Sequence, residues 1–351
     1  MNSNPDVLID RSGGIGRITL NRPESLNALT RDMSREIADA LTRWRDDDSV
    51  NLVLLRGVGE RAFCAGGDIR HIYDALLAGD PWPIDYWREE YALNLQIANY
   101  EKPIVAVMHG IVMGGGIGVS AHASHRIVTE TTSIAMPETS IGFLPDVGGS
   151  YLLSRAPGET GTHLALTAGR VAAADAIYTH LADVHVATAD LGHLEHALSG
   201  LSDAQEVSDR LENLASPPKP GVLAEARGWI DAAYGADSVE EICARLRARP
   251  EPEAQKALAQ IEANSPTSLK LALRALREGR RFNRLAPCLA MELNIVAHLT
   301  RSADFIEGIR AAVIDKDRKP KWAPARLEDV SDAAVEDYFR PWDDCQKFAT
   351  S

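Results

Sequence analysis

The chain has 351 residues, 45% of them hydrophobic and 25% charged, the balance of an ordinary globular protein with room for one large or two modest domains. Its net charge of −13 argues against a surface that tracks nucleic-acid phosphates, while leaving room for a local basic patch that receives one small anion. The four cysteines, Cys64, Cys243, Cys288 and Cys345, show no CxxC pairing and read as free thiols of a reducing compartment. The start, Met1 to Asp6, lacks the basic and apolar regions of a secretory signal. The apolar run from Ile104 to Ser120 is interrupted by His109 and by glycines, and falls short of the ~20 residues of a membrane span. A cytoplasmic protein is therefore expected, with no membrane and no nucleic acid among its partners.

In chain order, Val7–Asp10 and Arg17–Leu20 flank Gly13-Gly14, a hairpin signal. Thr30 is placed to cap a helix whose apolar positions Met33, Ile37, Leu41 and Trp44 recur at helical spacing. Val53–Leu55, Ile104–Met108, Ile127–Val128 and Ile134–Met136 read as short buried strands, and strands alternating with helices argue for an α/β core. Ser216-Pro217-Pro218-Lys219-Pro220-Gly221 reads as a hinge or linker. After about residue 205 the pattern turns helical; Ser265-Pro266 starts one helix, with Leu269, Ala272, Leu273 and Leu276 on one face and Gly279 at its end. The expected division is an α/β core over residues 1–205 that carries the active site, followed by a mainly helical region over 206–351.

Two glycine clusters stand where a strand gives way to a helix: Cys64-Ala65-Gly66-Gly67-Asp68, after Val53–Leu55, and Met113-Gly114-Gly115-Gly116, after Ile104–Met108. Each is either a tight turn or a loop that offers backbone N–H groups to an anion, with glycine letting a ligand approach the main chain. A dinucleotide fingerprint is excluded, because its third glycine would fall on Val119. Two carboxylates follow, Glu138 in Met136-Pro137-Glu138-Thr139 and Asp146 in Leu144-Pro145-Asp146-Val147-Gly148-Gly149. Taken singly they read as a helix N-terminal charge and a turn residue. Taken with the glycines they are the parts needed to polarise a carbonyl and move protons beside it. Cys64 has no neighbour that marks it as a nucleophile, and His109 has neither a Ser nor an acid at triad spacing. The ten histidines form no HExxH pattern, so no metal is expected.

Ala62-Phe63-Cys64-Ala65-Gly66-Gly67-Asp68 together with His109-Gly110 and Gly114-Gly115-Gly116 resembles the crotonase (enoyl-CoA hydratase/isomerase) superfamily. The resemblance begins at Asn21-Arg22-Pro23-Glu24-Ser25-Leu26-Asn27-Ala28-Leu29, runs to about residue 185, and resumes at Ser265–Lys270 and Phe305–Trp322. It implies an α/β fold, a spiral of ββα units with a helical C-terminal region, in an enzyme of acyl-CoA thioesters that assembles as a trimer or a pair of trimers. It also implies an oxyanion hole from the N–H groups of Gly67 and Gly115, bordered by Ala65, Gly66, Asp68 and Gly114. CoA would be part of the substrate, and no further cofactor is expected.

Hydratases of this superfamily carry one Glu in the helix after the glycine run and another in the Pro-Glu motif. The first position here is Gly118, which argues against hydration but leaves isomerisation, for which one acid suffices, and a non-catalytic acyl-CoA-binding module as alternatives. Met136–Thr139, Phe143–Gly149, Arg88-Glu89-Glu90-Tyr91, Ser265–Lys270, Glu307-Gly308-Ile309-Arg310 and Ile314–Trp322 are similar instead to the 3-hydroxyisobutyryl-CoA hydrolase branch, which acts in valine breakdown. That resemblance places Glu90, Gly115, Glu138 and Asp146 at the substrate. Glu138 would attack the thioester or activate water, and Asp146 would position the substrate hydroxyl or water, or pass protons. Glu90 keeps a second reading as part of a solvated helix face. Arg70 either meets the CoA phosphates or pantetheine, or forms an exposed salt bridge; Lys316 and Lys321 either meet the nucleotide or face solvent.

Overall fold

The computed structural model describes residues 5–342; the start at Met1–Asn4 and Cys345 lie outside them. The described residues hold ten strands: β1 (Val7–Ser12), β2 (Ile15–Leu20), β3 (Leu52–Gly57), β4 (Ala62–Cys64), β5 (Ile104–Met108), β6 (Ile111–Met113), β7 (His125–Val128), β8 (Ser133–Ala135), β9 (Arg170–Val171) and β10 (Val184–His185). Five helices bear on the argument: α1 (Arg31–Arg45), α2 (Ile69–Ala78), α3 (Trp82–Ala98), α4 (Gly115–Ser120) and α5 (Gly149–Leu153). Past β10 the described residues hold helices and no strand. None of these helices is long and apolar enough to cross a membrane.

The chain forms two compact units built from interleaved segments. The first takes in Met1–Gly67, Glu89–Ile134 and Val171–Val222. Its six-stranded sheet has the order β1-β2-β3-β5-β7-β10, antiparallel between β1 and β2 and parallel from there on. The β1–β2 hairpin turns on Gly13 (φ +57°) and Gly14 (φ +83°), two successive left-handed residues of the kind a tight hairpin turn requires. Leu52 and Leu54 of β3, Val105 and Val107 of β5 and Ile127 of β7 face one way, into a core shared with Leu194, Leu198, Val207 and Leu211. The alternate residues Val53, Leu55, Ile104 and Ala106 are also buried, so these strands read as unbroken apolar runs, as parallel strands covered on both faces do. Helix α1 starts where Met33 N donates to Thr30 Oγ1 at 3.2 Å, and buries the Met33, Ile37, Leu41 and Trp44 stripe. In a second sheet β4 pairs with β6 in parallel.

The second unit takes in Asp68–Arg88, Ala135–Arg170 and the chain from Leu223 on. Val222/Leu223, one of the five places where the chain passes from one unit to the other, follows the Pro-rich stretch Ser216–Gly221. The helix Pro266–Gly279 begins as the sequence predicts, Ser265 Oγ accepting from Ser268 N. It buries Leu269, Ala272, Leu273 and Leu276, and Gly279 lets it press against the Ser150 carbonyl of α5.

Candidate active site

The first glycine loop is tethered by the segment before α1. Asn27 is fully buried, and its Nδ2 donates to the carbonyls of Val58 (3.0 Å) and Ala62 (2.9 Å), while its Oδ1 accepts from Arg22 N (2.9 Å). Leu29 N donates to Gly66 O at 2.8 Å, and Ala65 N to Leu26 O at 3.0 Å. Gly66 sits at φ +111°, open to glycine and costly for other residues. The Asn21–Leu29 motif thus shapes the loop that ends at Gly67. Both glycine loops follow strands the sequence does not announce, β4 and β6; three residues are too few to display a period of two.

Gly114 caps α4 and Gly115 is its first residue, whose N–H has no preceding helical turn to bond. A Cβ placed on Gly115 would overlap Glu90 Oε1 and stand 3.5 Å from the Gly67 nitrogen; one on Gly116 would overlap the Cys64 carbonyl. The two loops therefore lie backbone against backbone, with the Glu90 carboxyl against Gly115. Glu90 is 2% exposed, so it belongs to the interior of its unit and not to a solvated face. Its neighbour Glu89 takes the surface role. Burial pushes the Glu89 carboxyl up, but paired bonds from Arg31 (2.7 and 2.9 Å) and Arg35 (both 2.8 Å) overcome it and hold it at about 2. One turn after Glu90, Asn94 is wholly buried with neither amide atom hydrogen-bonded. Burial pushes the Cys64 thiol up to about 12, which rules it out as a thiolate nucleophile near neutral pH.

In the second unit Glu138 opens a single 3-10 turn, Glu138–Ile141, closed by Gly142 in the left-handed conformation. The turn is held from behind. Thr139 Oγ1 donates to Ala165 O (3.0 Å), Ser265 N to Thr139 O (3.1 Å), and Ser265 Oγ to Asp304 Oδ2 (2.7 Å). Phe143, whose N donates to Glu138 O at 3.0 Å, stacks on Phe305 at 4.6 Å and on Trp87 at 5.5 Å. Glu138 is 6% exposed, and its Oε2 is buried without a hydrogen-bond partner. Desolvation, then the charge of Asp146 and, more weakly, that of Glu292, lift its carboxyl well above the usual range. Asp146 is 5% exposed and lies just before the turn that leads into α5.

Glu292 is a further buried acid of this unit, which the sequence reading misses. Its signal is an acid on an apolar helix face: in Leu285–Leu299 the buried stripe of Leu285, Cys288, Leu289, Ile295, Val296 and Leu299 includes it. Asn94 has the same signature, a polar residue between the buried Leu93 and Ile97.

Other expected site residues have structural partners. Asp68 caps α2, accepting from His71 N at 3.4 Å. Arg70 donates to Val313 O at 3.1 Å. The Glu307–Asp317 motif is an ion cluster in which Arg310 meets Glu307, Asp315 and Asp317. Among the described residues no group of three or more His, Cys, Asp or Glu side chains is placed to hold a metal ion.

Residues 15–339 match the enoyl-CoA hydratase/isomerase family, and the chain belongs to it. Among curated proteins, the mitochondrial 3-hydroxyisobutyryl-CoA hydrolase of Gallus gallus is 44% identical over 343 residues, 96% of this chain and 89% of the relative. Among solved structures, a carnitinyl-CoA dehydratase from Mycobacterium thermoresistibile aligns with TM-score 0.92 and 44% identity, covering 97% of this chain and 98% of that one. An enoyl-CoA hydratase from Rhodobacter sphaeroides aligns with TM-score 0.90 and 42% identity over 97% and 99%. The fold is the α/β crotonase fold expected from the sequence.

Proposed function

We propose that this protein hydrolyses a short-chain acyl-CoA thioester, with 3-hydroxyisobutyryl-CoA as substrate and 3-hydroxyisobutyrate and CoA as products. The observation that carries the reading is Glu138, a desolvated carboxyl with one oxygen unpaired and its proton affinity raised. A buried acceptor left without a partner is costly, and its retention fits a group that engages substrate or water. In this proposal the thioester oxygen is received by the N–H groups of Gly67 and Gly115. Glu138 then either attacks the carbonyl, giving an anhydride that water cleaves, or takes the proton of the attacking water. Each route breaks the C–S bond and returns a proton to the CoA thiolate. Asp146 positions the substrate hydroxyl or water, and Glu90 lines the acyl site. Ala65, Gly66, Asp68, Arg70 and Gly114 complete the substrate-binding set. A trimer or pair of trimers and a cytosolic location belong to the same reading, although the Gallus gallus relative carries the word mitochondrial in its name.

A second reading, hydration or isomerisation of an enoyl-CoA, is favoured by the family's description and, for hydration, by the name of the Rhodobacter sphaeroides structure. Against hydration stands α4, where residue 118 is a buried glycine and no residue is acidic. The deciding experiment follows thiol release from 3-hydroxyisobutyryl-CoA and from crotonyl-CoA side by side, with enoyl absorbance monitored on the latter. Thiol release from the hydroxyacyl ester that is lost in Glu138→Gln supports the hydrolase. Enoyl absorbance lost without free thiol overturns it.

A further inference from the structure

Asp146 stands at the entrance to a turn that an ordinary sequence would not hold. Val147 follows at φ +50°, a left-handed conformation that a β-branched side chain resists, and Gly148 continues at φ +83° before α5 begins at Gly149. Such a conformation persists only where its surroundings impose it. Here the surroundings include one side chain 144 positions away in sequence. Glu292, fully buried, accepts from Gly148 N through Oε2 (2.7 Å) and from Ser150 N through Oε1 (2.9 Å); the Ser150 hydroxyl donates to Oε1 as well.

We infer that Glu292 is a positioning residue for Asp146, its two carboxyl oxygens clamping the Val147–Ser150 turn that presents that acid. The inference rests on the acyl-CoA reading only in taking Asp146 as part of the reaction. Two further observations agree with it. The acid occupies a place in the buried helix stripe where a leucine would pack at no electrostatic cost. Burial also pushes its carboxyl up to about 8 against the opposing bonds from Ser150 and Gly148, so the clamp is kept at the expense of a desolvated acid.

The test is a double-mutant cycle on the acyl-CoA that the wild type turns over, using Glu292→Gln, Asp146→Asn and the pair. The glutamine keeps the shape but points an amide N–H at one of the two backbone donors. We expect kcat to fall roughly 10- to 100-fold, the scale of a buried backbone donor left without its acceptor, with KM within about threefold. In the Asp146→Asn background the same change should cost less than about threefold more, because its effect passes through a group already removed. Losses that simply multiply overturn the inference. If Glu292→Gln does not fold, Ser150→Ala deletes only the hydroxyl on Oε1; its smaller loss should likewise vanish in Asp146→Asn, and a multiplying loss there overturns the inference equally. The hydrolase reading fails separately, on the wild type alone, if no thiol is released from 3-hydroxyisobutyryl-CoA; the cycle is then run on the enoyl-CoA reaction.

Discussion

Replacing Gly115 with alanine isolates the contact between the glycine loops and Glu90. The added methyl would overlap Glu90 Oε1 and lie 3.2 Å from Leu29 Cδ1 and 3.5 Å from Gly67 N. Only the first is an overlap, and the atom struck ends a flexible side chain. The backbone of Gly115 is not left-handed, so alanine adds no strain there. Overpacking costs about 1–3 kcal/mol, and alanine in place of glycine within a helix returns up to about 1 kcal/mol, so the net loss of stability should be modest. Relief requires the Glu90 carboxyl to withdraw by roughly 0.5–1 Å, and misplacement on that scale can cost about 100-fold in rate.

We therefore expect Gly115→Ala to melt within about 4 °C of wild type while kcat for thioester cleavage drops by about two orders of magnitude. Gly116→Ala is the control. Its methyl meets the Cys64 carbonyl, which cannot step aside, so that variant should lose several kcal/mol or fail to fold. Thermal unfolding and thiol release on the same preparations decide. Wild-type kcat and KM in Gly115→Ala would refute the role given to the Glu90–Gly115 contact. Unfolding of Gly115→Ala to the extent of Gly116→Ala would refute Glu90 as the yielding partner.

If ionised Glu138 is the reacting form, kcat/KM should climb with pH through a limb well above the ordinary carboxylate range of 4.5. Asp146→Asn removes a charge that raises that limb, so the limb should move to lower pH; an unmoved profile would separate the two acids. The raised carboxyl of Glu292 binds a proton in the folded state that the unfolded chain releases between the usual 4.5 and about 8. Its contribution to stability is thus full below 4.5 and lost as pH rises to about 8. Urea midpoints measured at about pH 5 and pH 8 should lie closer together in Glu292→Gln than in wild type, and an equal spread in both proteins would reject this assignment. Cys64, at about 12 and buried, should resist iodoacetamide at pH 8 until the protein is unfolded; rapid labelling of the native protein, traced by mass spectrometry to Cys64, would contradict its placement.

Local rules made much of the first unit readable. Thr30 before a 3.6-residue apolar stripe, Gly13-Gly14 between alternating residues, and unbroken apolar runs in β3 and β5 each announce their element within a few positions. The glycine loops and the two Pro-acid motifs are equally local, so Gly67, Gly115, Glu138 and Asp146 stand out as candidates before any coordinates. What escapes is whatever depends on distant partners. Glu292 matters through two N–H groups that the chain supplies far upstream, and nothing near Met291 names them. Glu89 and Glu90 look alike in sequence, yet one is saturated by arginines from α1 and the other buried against Gly115. Strands β4 and β6 are defined by pairing with each other, which three residues cannot advertise.

That contrast between adjacent acids bears on how α3 is held. Successive helix residues point about 100° apart around the axis, so fixing one direction fixes the next. With both Glu89 oxygens gripped by Arg31 and Arg35, the helix cannot roll about its axis without breaking four charged hydrogen bonds at once. The surface clamp thereby acts as an angular key, and the bearing of Glu90 toward Gly115 is set through the grip of two arginines on its neighbour.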